Sequence, residues 1–178
     1  MRRPVGVPGI VAVVHILLAT DADWIVDEVT AALGGPDTSF TVCREGRAVT
    51  GVVADREPDL AVLDLQVGSM GGMAIAMAMR LDESAGNLPH APILMLLDRE
   101  ADVFLARRSG ADGWMVKPLD ALRLKRAALA VKAGEGYFEG LPADEVPAVD
   151  EADDDGDEAE PGDAEESGSP EEEPATAG

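Results

Sequence analysis

Cysteine is almost missing from this 178-residue chain: Cys43 stands alone. That excludes a disulfide framework and a cysteine-based zinc site. Aromatic residues make up only 3%, with two Trp, one Tyr and three Phe, so any core is aliphatic. The two histidines, His15 and His90, lie far apart without ligand-like spacing, which argues against a histidine metal centre. No apolar run reaches the roughly 20 residues of a membrane span. The longest, residues 4–19, is interrupted by Pro8 and His15. Lysine and arginine are missing altogether from residues 141–178, which hold 16 Asp or Glu.

What is present is unevenly distributed. The 35 acids against 14 Lys and Arg give a formal charge of −21. Residues 1–140 carry 19 of those acids and all 14 bases, so their net charge is only −5. A polyanion such as nucleic acid is repelled by this balance, so no direct nucleic-acid partner is expected. The Asp, Glu, Pro, Gly, Ser and Ala of the C-terminal part cannot bury enough apolar area to offset the entropy of ordering. The expected division is a flexible extension over residues 1–13, one folded domain over 14–133, and a disordered acidic tail over 134–178. Met1-Arg2-Arg3 before an apolar run imitates a secretory signal. Pro4, Pro8, His15 and the lack of a small-x-small cleavage site speak against one, and a cytoplasmic location away from membranes is expected.

Along the folded part, short apolar runs alternate with helical stripes. Residues 14–19 form a buried strand closed by Thr20-Asp21-Ala22-Asp23, with Asp23 expected as the cap of a helix bearing Ile25, Val29 and Leu33 at spacing four. Gly34-Gly35-Pro36 stops that helix. A second strand is expected over 40–43, then a helix from Gly46 with Val49, Val52 and Val53. Further strands are read at 60–65, 93–97 and 113–117, with helices over 73–82, 99–109 and 119–132. Strands alternating with helices of this length imply parallel βαβ units with right-handed crossovers. The result is an α/β fold: a three-layer open sheet of five parallel strands.

In such sheets a site forms beyond the carboxyl ends of the strands. Three ionisable residues sit there: Asp21 follows the first strand, Asp64 lies near the end of the third, and Lys117 ends the fifth. Two carboxylates about 4 Å apart repel by about 4 kcal/mol at an effective dielectric near 20, which a divalent cation relieves. Oxygen ligands with water positions left open suit Mg²⁺. A carboxylate beside Mg²⁺ and a lysine is equipped to accept a phosphoryl group, since that chemistry is mostly positioning and charge neutralisation.

The segments Leu60-Ala61-Val62-Leu63-Asp64-Leu65 with Gly72 downstream, Gly110-Ala111-Asp112-Gly113-Trp114-Met115-Val116-Lys117-Pro118, and the strand before Asp21 resemble the receiver domain of two-component response regulators. The resemblance spans about residues 14–133. It implies a flavodoxin-like (βα)5 fold with strand order 2-1-3-4-5 and a phosphoacceptor at Asp64, supplied by a histidine kinase or phosphotransfer protein. It further implies that Asp21, Asp64 and the backbone carbonyl of Gln66 bind Mg²⁺, that Lys117 contacts the phosphoryl group, and that the Lys117–Pro118 bond is cis.

Several positions depart from the family pattern. Thr20 replaces the first of two adjacent acids, so Mg²⁺ is expected to bind more weakly. Leu97 replaces the Thr or Ser whose hydroxyl bonds the phosphoryl group, and losing a hydrogen bond to a charged group costs about 1.5–3 kcal/mol. Gly68 replaces a loop proline, and Trp114 occupies the aromatic switch position. Two functional readings follow. One is a stand-alone receiver that takes phosphate on Asp64 and signals by protein–protein contact; the other is a phosphorylation-independent pseudo-receiver that only binds partners. A third reading, from another class, takes Asp21-Ala22-Asp23 as the first motif of a haloacid-dehalogenase-type phosphohydrolase. It lacks that family's acidic pair after the lysine, and non-enzymatic signalling is expected.

Other eye-catching residues have plainer expectations. Met70, Met73, Met77, Met79, Met95 and Met115 read as core or helix surface rather than a groove, and Cys43 as a small buried hydrophobe. Residues 99–132 hold eight Lys or Arg against four acids, a local +4. One hypothesis has the acidic tail folding back on Arg107, Arg108, Arg123, Lys125 and Arg126; the plainer reading is a solvated helix face beside a solubilising tail.

Overall fold

The computed structural model describes residues 13–141. The sequence is organised as β1 (Val14–Ala19), α1 (Asp23–Leu33), β2 (Thr38–Cys43), α2 (Val49–Asp55) and β3 (Leu60–Asp64), followed by α3 (Gly72–Ser84), β4 (Ile93–Leu97), α4 (Val103–Ser109), β5 (Gly113–Val116), α5 (Ala121–Ala133) and β6 (Tyr137–Phe138). Single turns of 3-10 helix, Gly46–Ala48 and Glu100–Asp102, lead into α2 and α4. The sheet is parallel throughout, in the order β2-β1-β3-β4-β5-β6.

Both faces of the sheet are covered, which is why β3 and β4 are buried at every position. On one face α2, α3 and α4 press Val49, Val53, Ile75, Ala76, Met79, Val103 and Ala106 against Leu17, Leu63, Met95 and Leu97. On the other, α1 and α5 set Ile25, Val29, Ala32, Leu124, Ala127, Ala128 and Val131 against Leu18, Val62, Leu94 and Leu96. These helical residues recur at three and four positions, so each helix turns one stripe inward. The aliphatic core expected from the scarcity of aromatics is present, with Trp114 as the one large ring buried in it.

Local signals account for several boundaries. The Asp120 side chain accepts from the backbone N–H groups of Leu122 and Arg123 and caps α5. Gly110 ends α4 in the left-handed region at φ 76°, where a side chain is strained. Asp23 does not cap α1, contrary to the sequence reading. Ala22 takes the cap position, and Asp23 lies in the first helical turn, ion-paired with Arg44 at 2.6 Å.

Among the described residues the sheet has six strands, not five. Tyr137 and Phe138 pair with Gly113 and Trp114, so ordered structure continues past residue 133. A two-residue strand has no periodicity to read, and it is flanked by Gly134, Gly136 and Gly140, all at positive φ. Residues 1–12 of the expected extension and 142–178 of the acidic tail lie outside the described residues, and with them the proposed fold-back of that tail.

The plainer expectations for single residues hold. Met79, Met95 and Met115 are core residues and Met77 is exposed. Cys43 is a buried free thiol whose burial pushes its pKa up. His15 is buried with its ring against the Thr41 hydroxyl at 2.9 Å. His90 is exposed and paired with Glu83. Among the described residues no helix is long and apolar enough to cross a membrane.

Candidate functional site

The parallel register brings the ends of four strands to one rim. Ala19 lies opposite Leu63, Asp64 opposite Leu96, and Leu97 opposite Val116. Thr20, Asp64, Asp98 and Lys117 therefore emerge side by side at the carboxyl edge, although they are far apart in sequence.

Asp64 is 1% exposed, and both of its carboxylate oxygens are engaged. Oδ1 accepts from Lys117 Nζ at 2.6 Å and from the Gln66 backbone N–H at 3.2 Å. Oδ2 accepts from the Thr20 hydroxyl at 2.8 Å. That hydroxyl in turn accepts from the Ala22 backbone N–H at 3.2 Å, so the turn after β1 is fastened to the end of β3. Glycine is required behind this carboxylate: a Cβ on Gly72 would come within 2.3 Å of the Asp64 carbonyl oxygen. Only glycine lets the first turn of α3 approach the end of β3 so closely.

Lys117 follows β5, and its peptide bond to Pro118 is cis, as the resemblance implied. Its ammonium bridges two carboxylates, Asp64 at 2.6 Å and Asp98 at 2.7 Å, and stands 5.7 Å from the centre of the Trp24 ring. Burial pushes its pKa down, but the hydrogen bonds to Asp64 and Asp98, and their charges, outweigh that and hold it above the usual lysine value.

The remaining sequence candidates fall at varying distances from this centre. Asp21 is exposed. Its carboxylate stands over the loop after β3, close enough that a Cβ at Gly68 would be 3.2 Å from Oδ2. Gln66 is exposed in the same loop. Leu97 is fully buried and packs in the same apolar cluster as Trp114, so β4 ends without a hydroxyl on the rim. Trp114 is 1% exposed; its indole N–H donates to the Glu139 backbone carbonyl at 2.9 Å, and its ring lies 4.7 Å from that of Phe138.

Asp98 and the second role of Thr20 were not among the sequence candidates. The strand-end rule that selected Asp64 applies equally to Asp98, the first polar residue after β4. Thr20 was read only as a missing acid, whereas its hydroxyl is a direct donor to Asp64.

Among the described residues no three His, Cys, Asp or Glu side chains converge to hold a metal ion. The carboxylates of Asp21 and Asp64 are hard oxygen donors, too few by themselves to enclose a cation. That set fits a largely hydrated Mg²⁺, which is commonly bound through one or two carboxylates, and does not fit a softer metal.

The chain is similar to known proteins across this architecture. The response regulator receiver domain family matches residues 16–129. The "Transcriptional regulatory protein CseB" of Streptomyces avermitilis is 30% identical over 141 residues, covering 76% of this chain and 57% of that protein. The "DNA-binding response regulator MtrA" of Mycobacterium tuberculosis is 30% identical over 106 residues, covering 58% of this chain and 44% of that protein. The chain thus matches about half the length of these curated relatives. Among solved structures, the signal receiver domain of the response regulator NarL from Mycobacterium tuberculosis superposes with a TM-score of 0.58 at 25% identity, covering 68% of this chain and 97% of that one. The chemotaxis response regulator CheY4 of Vibrio cholerae does so with a TM-score of 0.58 at 22% identity, covering 66% and 98%. The latter likeness concerns the fold alone.

Proposed function

The chain belongs to the response regulator receiver domain family of two-component signalling, and on that premise we propose that Asp64 accepts a phosphoryl group and that the domain passes the signal on by protein–protein contact. Receiver domains are signalling modules, and the phosphohydrolase alternative is set aside with the family assigned. The observation that carries the proposal is the Asp64–Lys117 pair, 2.6 Å apart at the carboxyl edge of the sheet, with Asp64 1% exposed.

The site chemistry follows from charge. Asp64 attacks phosphorus; the bond from phosphorus to the donor nitrogen or oxygen breaks, and the donor leaves with the electron pair. Lys117 is held where its ammonium can meet the negative charge arriving on the phosphoryl oxygens. Asp21, Asp64 and the carbonyl of Gln66 would hold Mg²⁺, which would neutralise further charge on that group. Thr20 supplies a hydroxyl where a third anionic ligand would sit, and binding of the cation is correspondingly weaker.

The donor is a histidine kinase or a phosphotransfer protein, and the cytoplasm is where such donors act. DNA binding belongs to the relative MtrA by its name and is not carried over to this chain. For this chain, output through protein contact is supported by its charge of −21, which disfavours a nucleic-acid partner.

One observation favours a second reading, a binding module whose phosphate switch is silent. Leu97 is buried in the core and brings no hydroxyl to the rim beside Asp64. Incubation with Mg²⁺ and acetyl phosphate, followed by intact-mass measurement, separates the two. An adduct of about 80 Da that disappears in Asp64→Ala is expected. Its absence from folded wild-type protein would leave the silent module.

A further inference from the structure

Asp98 shares the ammonium of Lys117 with the acceptor. Nζ lies 2.7 Å from Asp98 Oδ1 and 2.6 Å from Asp64 Oδ1, and the Lys117 side chain is only 11% exposed. The end of β4 therefore brings an anion to the rim of the site, immediately after a leucine that has no polar atom to offer. We infer that Asp98 is a positioning residue acting through Lys117, a built-in competitor that limits how much phosphate Asp64 takes up and keeps.

The inference rests on Asp64 being the acceptor and adds a regulation of that same site. Before transfer the rim holds one ammonium between two carboxylates. After transfer the Asp64 carboxylate has become an acyl phosphate, whose phosphoryl oxygens carry more negative charge than the carboxylate did. Lys117 is the cation in hydrogen-bond contact with Asp64 among the described residues, and one of its three N–H groups is committed to Asp98. The Asp98 charge stays in place beside the new anion, in partly buried surroundings where solvent screens it little. Both effects act on the phosphorylated form more than on the free one, so they lower the phosphorylated fraction. Solvent alone does not hold the side chain in place: at 32% exposure Asp98 is partly covered, and its contact with Lys117 is direct.

The test uses the full chain with Mg²⁺ and acetyl phosphate. In the forward step an Asp64 oxygen bonds to phosphorus, and the bond from phosphorus to the acetate oxygen breaks, with acetate taking the electron pair. In the reverse drain, water attacks phosphorus and returns the Asp64 carboxylate, inorganic phosphate and a proton. Asp98→Asn keeps the shape and removes the charge; Asp98→Ser is a second neutral variant should the first fold poorly; Asp98→Glu keeps the charge. The readouts are the steady-state phosphorylated fraction by intact mass, the half-life after removing donor, and the affinity for beryllofluoride, a phosphoryl mimic.

Losing the competitor for one charge-assisted hydrogen bond is expected to raise the affinity for the mimic about tenfold to a hundredfold in the neutral variants. The phosphorylated fraction rises with it, while Asp98→Glu stays near wild type. A merely structural role would leave the neutral and charged variants alike once both fold. If wild type is phosphorylated at Asp64 and the neutral variants gain nothing, the inference is overturned and the acceptor assignment stands. If neither wild type nor the folded neutral variants form an adduct that depends on Asp64, the acceptor assignment fails and takes the inference with it.

Discussion

The Trp114 indole N–H donates to the backbone carbonyl of Glu139 at 2.9 Å, tying a buried ring on β5 to the segment after the last helix. The same Glu139 works through its side chain as well. One carboxylate oxygen accepts from the Val116 backbone N–H at 2.8 Å and also from Arg123 Nη2; the other accepts from Arg123 Nε at 3.0 Å and the Tyr137 hydroxyl at 2.8 Å. A single residue thus fastens β5, β6 and α5 together.

Glu139→Gln is expected to destabilise the domain by about 1–3 kcal/mol, the usual cost of losing hydrogen bonds to a charged group in a partly buried site. The variant keeps the backbone carbonyl, so loosening at Trp114 is read separately, as a red shift of emission in a Trp24→Phe background. Urea unfolding supplies the stability change. Equal stability of the two proteins would mean that the carboxylate holds nothing.

The same carboxylate predicts a pH dependence. Burial pushes the Glu139 pKa up, but the bond from Arg123, with further help from the Val116 N–H, the Tyr137 hydroxyl and the Arg123 charge, outweighs it and leaves the pKa below the ordinary value. A carboxyl with a depressed folded pKa gives its full stabilisation above the unfolded value, about 4.3, and loses it as pH falls through the folded value. The stability gap between wild type and Glu139→Gln should therefore be constant from neutral pH down to about 5 and close in stronger acid. A gap that persists unchanged at pH 2 would contradict this. On the alkaline side Lys117, with its raised pKa, gives full stabilisation below about 10.4 and loses it as pH rises through its higher folded value.

Lys117→Met removes the cation beside a carboxylate that is 1% exposed. Breaking a buried pair in this way costs about 3–5 kcal/mol, and the two neutral donors that remain to Asp64, from Thr20 and Gln66, place the expected loss at the lower end, about 3 kcal/mol. Asp64→Asn in the Lys117→Met background should recover part of that stability, because the stranded charge is gone. Additive losses in the double variant would argue against the pairing.

Thr20→Asp exchanges a hydroxyl that donates to Asp64 for a second carboxylate. Without metal the protein is expected to lose about 1–3 kcal/mol, and Mg²⁺ is expected to return it in proportion to the logarithm of its concentration. Thermal midpoints across a Mg²⁺ titration check both signs. Wild type, with the weaker site, should show the smaller shift.

Much of the fold was legible because its signals are periodic. The bounds of β1 and β4 came directly from short apolar runs, and the stripe Leu124, Ala127, Ala128, Val131 located α5. The pairing of Asp64 with Lys117 was legible too, since strand ends in a parallel sheet converge on one rim. What escaped notice depends on contact rather than pattern. Asp98 has no spacing that marks it, and its significance lies in one distance to Lys117. Thr20 reads in sequence as a lost charge, and only its 2.8 Å bond to Asp64 gives it a task. β6 is too short to carry a pattern, and Glu139 looks like one more acid in an acidic stretch until its four donors are seen.

The short strand at Tyr137–Phe138 also bears on how fragments of this protein behave. A bare lateral margin of a sheet offers unpaired backbone groups to any other molecule that can supply a strand, a common route to aggregation. Cutting the chain at residue 133, where the last helix ends, would strip β5 of its neighbour and uncover the Phe138 side of Trp114. Fragments for solution work are better ended after residue 141, and the shorter piece should betray itself by self-association in light scattering.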